Sequence, residues 1–437
     1  MVTSQVSEQK LHALSNLDHI ATPVYVTIYL LYPNTSDIAS VMNDDSMKAS
    51  LAKLLALNPI LAGRLEIHGN SPKDKRIFVN YSEPFTVDEM YKSQNFDACY
   101  SELEQNGFNL DHEKIQFHRA PEPGSMSQPL IQAQLTRFRD GGILLAVSIS
   151  HLIADGKAMA NIVRVWSEIN RGKSARHFVF ENANLAPTCD APTLDHTEFG
   201  PVPTISKGDQ FQKRSVYLRL TRAQQLSIKA DIQALRSADD KGWISTHDAL
   251  SAILWRAYAR ALGLSKSTDI LRLVVVKNLR ADAGLPVESM GNLLGIFMAS
   301  ATGDVVTDAA QLWHLARISW KAKRRYDAAI YLQSLSNAIE QLPDKCFTHV
   351  VCADLGMNDI GINDWASLGF DLADFGTGTP QRVRLPDTIG PPFLLPVPGS
   401  DGDIEVRLSN MTSIVDAMVK DEYVSKYLTG NNAPAAV

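Results

Sequence analysis

The chain has 437 residues, too many for one ordinary hydrophobic core, so two domains of about 200 residues each are expected. Hydrophobic residues make up 45% and charged residues 21%, the balance of a protein that folds in water. A formal net charge of -6, with no basic run longer than KAKRRY (Lys321 to Tyr326), speaks against a nucleic-acid partner, which needs a concentrated cationic face.

The opening MVTSQVSEQKLHAL has neither the basic nor the apolar region of a leader, and no apolar run approaches a membrane span. A cytoplasmic protein with no membrane partner is the expectation, and the sequons at Asn34, Asn80 and Asn410 would then carry no glycan. Further along, SMKASLAKLLALNPILAGRL from Ser46 puts Met47, Leu51, Leu54 and Leu55 on one face before Pro59, which predicts an amphipathic helix and a turn. Cys99, Cys189, Cys346 and Cys352 match no zinc or redox spacing, so reduced thiols and no metal site are expected.

Ile143 to Ile149 is nearly unbroken apolar sequence, short enough for a buried strand, and from Ala158 the residues Met159, Ile162, Val163, Trp166 and Ile169 take up the helical period. Ser174 to Arg214, rich in Pro, Thr, Asp and Gly, reads as a linker between the halves 1–173 and 215–437. The second half predicts a strand at Ser215 to Leu220, a helix after Thr221 and a helix from about Thr246 with Leu250, Ile253, Leu254, Ala257 and Ala261 inward. A strand at Leu271 to Val276 and a helix after Thr307 with Leu312, Leu315 and Ile318 follow. Strands and helices mix throughout, so a layered α/β or α+β fold in two halves is expected.

His151 therefore sits just past a strand, in a turn that leads into a helix. An imidazole titrates near neutral pH and can take a proton from a hydroxyl or amine as that group attacks a carbonyl. Of the eleven histidines, only His151 has an aspartate four residues on, and Gly156 completes HxxxDG. Read locally, two accounts stand: a base at a strand end facing a cleft, or a polar residue closing a buried strand while Asp155 caps the next helix. A zinc pair lacks a third ligand, no GxSxG elbow occurs, and Gln381 stands where a dinucleotide fingerprint built on Gly376 and Gly378 needs a glycine.

Taken together, HLIADG (His151, Asp155, Gly156) and DFGTGTP (Asp374, Phe375, Gly376, Gly378) resemble the two signatures of the BAHD acyl-CoA-dependent acyltransferases, in the family's order and separation. LSNLD, SLAKLLALNPILAGRL, STHDALSAILWRA, NLRADAGLP, MGN and LPVPGSDGDIEVRL fall into line around them, so the resemblance spans nearly the whole chain. It implies two chloramphenicol-acetyltransferase-like domains, 1–173 and 215–437, with mixed sheets flanked by helices. The linker 174–214 would be the crossover, 372–392 would pack back on the first domain, and a tunnel between the domains would hold His151 at its midpoint.

The reaction so implied is transfer of an acyl group, acetyl by default, from acyl-CoA to a hydroxyl or amine of a small secondary metabolite. It would run in a ternary complex in a monomer, with His151 as general base, acyl-CoA as co-substrate and no permanently bound cofactor. Asp155 would hold its loop through an ion pair, Gly156 would allow a turn where a Cβ clashes with backbone, and Asp374 would pair with Arg280 of NLR. Ser245, Thr246, Lys277 and Asn278 would meet CoA, although capping of a helix explains Thr246 equally well. Thr377 replaces the tryptophan of the family's DFGWG, removing any oxyanion or packing role of that indole. RLPPLP is likewise reduced to ADAGLP after Arg280, which suggests a divergent, fungal or microbial branch. Two rivals share the fold: a carrier-dependent condensation-type enzyme, which commonly has a second histidine where Ser150 stands, and a catalytically silent binding protein.

Overall fold

A computed structural model describes residues 10–21, 23–35, 38–82, 84–110, 126–174, 176–181, 185–188, 190–201, 212–346, 348–350 and 358–430. The first half contains β1 (Tyr25–Tyr32), α1 (Asp44–Leu57), β2 (Tyr91–Phe96), β3 (Ile131–Phe138), β4 (Ile143–Ser150) and α2 (Gly156–Asn170). The second begins with β5 (Lys213–Leu220), α3 (Arg222–Ala234), α4 (Thr246–Ala261), β6 (Ile270–Asn278), β7 (Leu294–Thr302), α5 (Leu312–Ala322) and α6 (Ala328–Glu340). It ends with β8 (Asp359–Asp364), β9 (Arg382–Arg384), β10 (Gly390–Pro396) and β11 (Ile404–Met411).

The unbroken apolar run of β4 has a structural reason. This strand sits inside a five-stranded sheet of order β9-β1-β4-β3-β2, and both of its faces are covered. Leu145, Val147 and Ile149 join the core beneath α1 and α2, while Leu144 and Ala146 pack on the other side with Tyr29, Leu31, Tyr100 and Phe108. Burial of each of its larger apolar side chains contributes roughly 1.5–3 kcal/mol, which fixes the strand's register and hence the place where it ends.

The second sheet runs β7-β6-β8-β10-β11-β5, with Thr429–Gly430 at its edge. It is mixed: β6 pairs antiparallel with β7 and parallel with β8, β8 pairs parallel with β10, and β11 lies antiparallel to β10 and β5. α4 and α5 cover one face around Trp255, Leu250, Leu254 and Leu315.

The chain returns to the first sheet late. β9 pairs antiparallel with β1, Arg382 opposite Leu31, and Arg384 reaches across to Glu405 of β11, Nη1 to Oε2 2.6 Å, with both side chains buried. Asn16 and Arg76 also bridge the halves, through the Ser336 carbonyl at 2.8 Å and the Glu340 carboxylate at 2.7 Å. Cys99 and Cys346 are free thiols, whereas Cys189 and Cys352 lie outside the described residues. Among the described residues, no helix is long and apolar enough to cross a membrane.

Candidate active site

His151 is held by its backbone on both sides. Its N–H donates to the Val24 carbonyl at 2.9 Å, carrying the β1–β4 ladder one step past the last paired residues, Tyr25 and Ser150. Its carbonyl accepts from Asn292 Nδ2 at 2.8 Å, a residue of the other half. The ring's Nδ1 is buried and meets no hydrogen-bond partner among the described residues, and the side chain lines a cavity of about 410 Å³.

Asp155 makes both the helix cap expected from its position and an ion pair of the kind the resemblance implied. One oxygen accepts from the Ala158 N–H at 2.9 Å and caps α2, as a carboxylate at a helix N-terminus should. The other accepts from Arg280 Nη1 at 2.7 Å and from the Leu293 N–H at 3.1 Å. The side chains of Asp155 and Arg280 are 0% and 2% exposed, so this is a fully desolvated ion pair between the halves. Arg280 is thus the partner of Asp155, not of Asp374 as the resemblance suggested. Its guanidinium is completed by the carbonyls of Ser289 at 2.8 Å and Gly291 at 3.0 Å.

Gly156 also acts differently from expectation. A Cβ there would come within 2.9 Å of Leu368 Cδ1 and 3.0 Å of Trp365 Nε1, so the glycine makes room for side chains of the second half, not for backbone. Trp365 is fixed by stacking on Phe370 and by an edge-to-face contact with Phe393, and it forms part of the cavity wall.

Asp374 binds at the opposite end of α2. Its Oδ2 accepts from Arg171 at 2.5 Å, and its Oδ1 accepts from the N–H groups of Gly376 at 2.7 Å and Gly378 at 3.0 Å. Both glycines have positive φ, +116° and +94°, which lets the loop fold around one carboxylate oxygen. Phe375 is buried against Tyr32 and Trp166, and Thr377 meets the sulfur of Met42. Asp155 caps one end of this 15-residue helix and Arg171 the other, so the two motifs stand about 22 Å apart along its axis. DFGTG is a clasp here, out of reach of His151.

The cavity has walls from both halves. Val24, Val26, His151 and Gly156 face Val276, Ile296, Asn363, Trp365 and Phe393, so the lining is mainly apolar with a few amides. A second cavity of about 320 Å³ shares Lys157, Val276, Asn278, Asp364 and Leu368 with it and adds Ser245, His247, Lys277, Lys323 and Arg324. Of the expected CoA residues, Ser245, Lys277 and Asn278 line this mouth and Thr246 lines neither cavity. Ser245, not Thr246, is the helix cap, in a reciprocal box with Asp248. Lys277 pairs with Asp282 and Lys323 with Asp248. Lys157 and Arg324 have no carboxylate in ion-pair range among the described residues. Lys157, which donates to the Leu368 carbonyl at 2.9 Å, is held below the usual ammonium range by burial and then by Arg164 and Arg280. His247 is likewise pushed down, by burial and then by Lys323.

Sequence reasoning missed Lys157, His247, Asn292, Asn363, Trp365, Lys323 and Arg324. Three of these carried a readable signal: Asn292 ends MGN, and Lys323 and Arg324 lie within KAKRRY, the longest basic run.

A family model described as "Transferase family" matches residues 1–420. The chain belongs to this family, the BAHD acyltransferases. Shikimate O-hydroxycinnamoyltransferase of Nicotiana tabacum is 28% identical over 303 residues, 65% of this chain and 68% of that one. Rosmarinate synthase of Plectranthus scutellarioides is 25% identical over 409 residues, 91% of each chain. The crystal structure of F. graminearum TRI101 complexed with ethyl coenzyme A matches with a TM-score of 0.81 at 18% identity, over 97% of this chain and 99% of that one, which shows the shared fold. As a BAHD enzyme, this chain transfers an acyl group from acyl-CoA to a hydroxyl or amine, on two lobes of mixed sheet flanked by helices.

Proposed function

We propose that His151 is the general base of a ternary acyl transfer to a small secondary metabolite, with acetyl-CoA as the default donor. The acceptor's lone pair forms the new bond to the thioester carbon while His151 takes the acceptor's proton. The carbonyl π electrons move onto oxygen, return as the carbon–sulfur bond breaks, and the CoA thiolate takes the proton back from His151. Asp155, Gly156 and Arg280 support the loop, and Asp374 and Gly376 clasp the far end of α2. The CoA side is assigned to the mouth that holds Ser245, Lys277 and Asn278, with Thr246 behind it. Lys157 and Arg324, which lack a carboxylate partner among the described residues, are the cations assigned to CoA phosphates there.

The observation that carries this reading is the placement of His151 against a cavity walled by both halves and joined, through five shared residues, to a cation-lined mouth. The mainly apolar lining favours an acceptor with an apolar body. Since both walls come from one chain, a monomer suffices, and the net charge of -6 fits a cytoplasmic enzyme with neither nucleic-acid nor membrane partner. The test is to incubate the protein with acyl-CoA donors and a panel of alcohols, phenols and amines while titrating free thiol. Acceptor-dependent release is expected, and no release with any pair would overturn the assignment.

A further inference from the structure

Resting on that acyl-transfer reading, we infer that Asn278 is a catalytic residue. Its side-chain Nδ2 donates a hydrogen bond to the thioester oxygen as that oxygen becomes negative.

The family's second motif cannot supply such a donor, because Thr377 lies with Met42 at the far end of α2. Nor can Asn292, although it lines the cavity. Its Nδ2 is committed to the His151 carbonyl at 2.8 Å and to Asp18 Oδ1 at 3.3 Å. The His151 N–H is committed to Val24.

Asn278 differs. Its Oδ1 accepts from the Arg280 N–H at 3.2 Å and from Arg280 Nη1 at 3.0 Å. A guanidinium can only donate, so the amide oxygen must face Arg280 and the NH₂ group must turn the other way. That group meets no partner among the described residues, and Asn278 lines both cavities, at the place where the CoA mouth opens into the chamber of His151. A thioester at the end of a CoA arm lies at such a junction.

The donor is also rigid. Asn278 ends β6, and Arg280 is itself fixed by Asp155, Ser289 and Gly291. A pre-aimed N–H in a mostly apolar cavity needs no reorganisation when charge develops, and the cation behind the amide polarises it further. Asp155 thus orients the donor through Arg280, while its own loop carries the base. One buried ion pair aligns the proton acceptor with the oxyanion donor, and Arg280 is a positioning residue.

Asn278→Asp keeps the acceptor for both Arg280 bonds and exchanges the donor for a charged oxygen; Asn278→Ala removes the donor without adding charge, together with the acceptor of both Arg280 bonds. In steady-state acyl transfer, both variants should lose roughly 10²–10³-fold in kcat, while the affinity for CoA by calorimetry stays near wild type in both and the thermal midpoint does so in Asn278→Asp, which keeps the Arg280 bonds. A raised KM for acyl-CoA with kcat retained would make Asn278 an anchor only and overturn the inference. So would retained kcat in both variants together with its loss in Trp365→Phe, which would place the donor on the indole. Turnover by the wild-type protein with unimpaired variants refutes Asn278 alone. A wild-type protein that releases no thiol refutes the acyl-transfer reading as well.

Discussion

At Asp155 one carboxylate does two jobs: one oxygen caps the helix that follows His151, and the other holds Arg280 of the opposite half. Its position in the sequence was legible, because HxxxDG places it one turn after a strand end. Its partner was not: Arg280 is 125 positions away, and the resemblance assigned it to the wrong carboxylate. Only the fold reveals that α2 separates the two motif aspartates. Asp155→Asn would keep a capping oxygen and leave Arg280 buried without its counter-charge. The variant should lose about 3–5 kcal/mol of stability, read by denaturant unfolding, as broken buried pairs do. A change within the error of the measurement would show that the pair does not hold the halves.

Helices and strands differ in how much of them is written locally. β4 and α2 announce themselves, the first because both its faces are buried and the second because its large apolar residues recur at the helical period. β8 does not. DIGIND contains two aspartates, an asparagine and a glycine, poor strand formers, yet it lies in the middle of the second sheet because β6 and β10 pair with it on either side. α4 shows the same contrast at its start, where local chemistry sets the Ser245–Asp248 box and distant packing adds Lys323 to Asp248 at 2.5 Å. Burial alone would push the Asp248 carboxyl up, but the Lys323 ammonium and the Ser245 hydroxyl outweigh it and hold it below the usual carboxylate range. Lys323 is lowered too, since burial outweighs the pull of Asp248, so the pair is worth less than the carboxylate alone suggests. Because the folded value of Asp248 lies below the unfolded one, its contribution is complete above the unfolded pKa and is lost as pH falls through the folded value. Asp248→Asn should therefore melt below wild type at neutral pH, and the gap should close as pH drops below the ordinary 3.8. A gap that stays constant with pH would contradict this.

Across the whole molecule, two sheets with separate cores are tied by a few long-range devices. The Asp155–Arg280 pair, the Asn292 bond to His151, the clasp around Asp374 and the β9 strand with its Arg384–Glu405 pair all join residues more than 100 positions apart or bridge the two sheets. That the chain has two halves was legible from its length; that they share a cavity was not, because its walls come from residues scattered from Ile20 to Phe393. Glu405→Gln would leave Arg384 buried and uncompensated, and it should lower stability by about 3–5 kcal/mol although neither residue lines the cavity of His151. Chemical denaturation would show it, and an unchanged midpoint would mean that β9 is held by pairing alone.

The most direct measurement compares wild type with His151→Ala in acceptor-dependent thiol release from acyl-CoA, with CoA binding followed by calorimetry on the same preparations. The account predicts a rate lower by roughly 10²–10⁴-fold at unchanged CoA affinity, the usual contribution of a positioned base. Equal rates in the two proteins would contradict it.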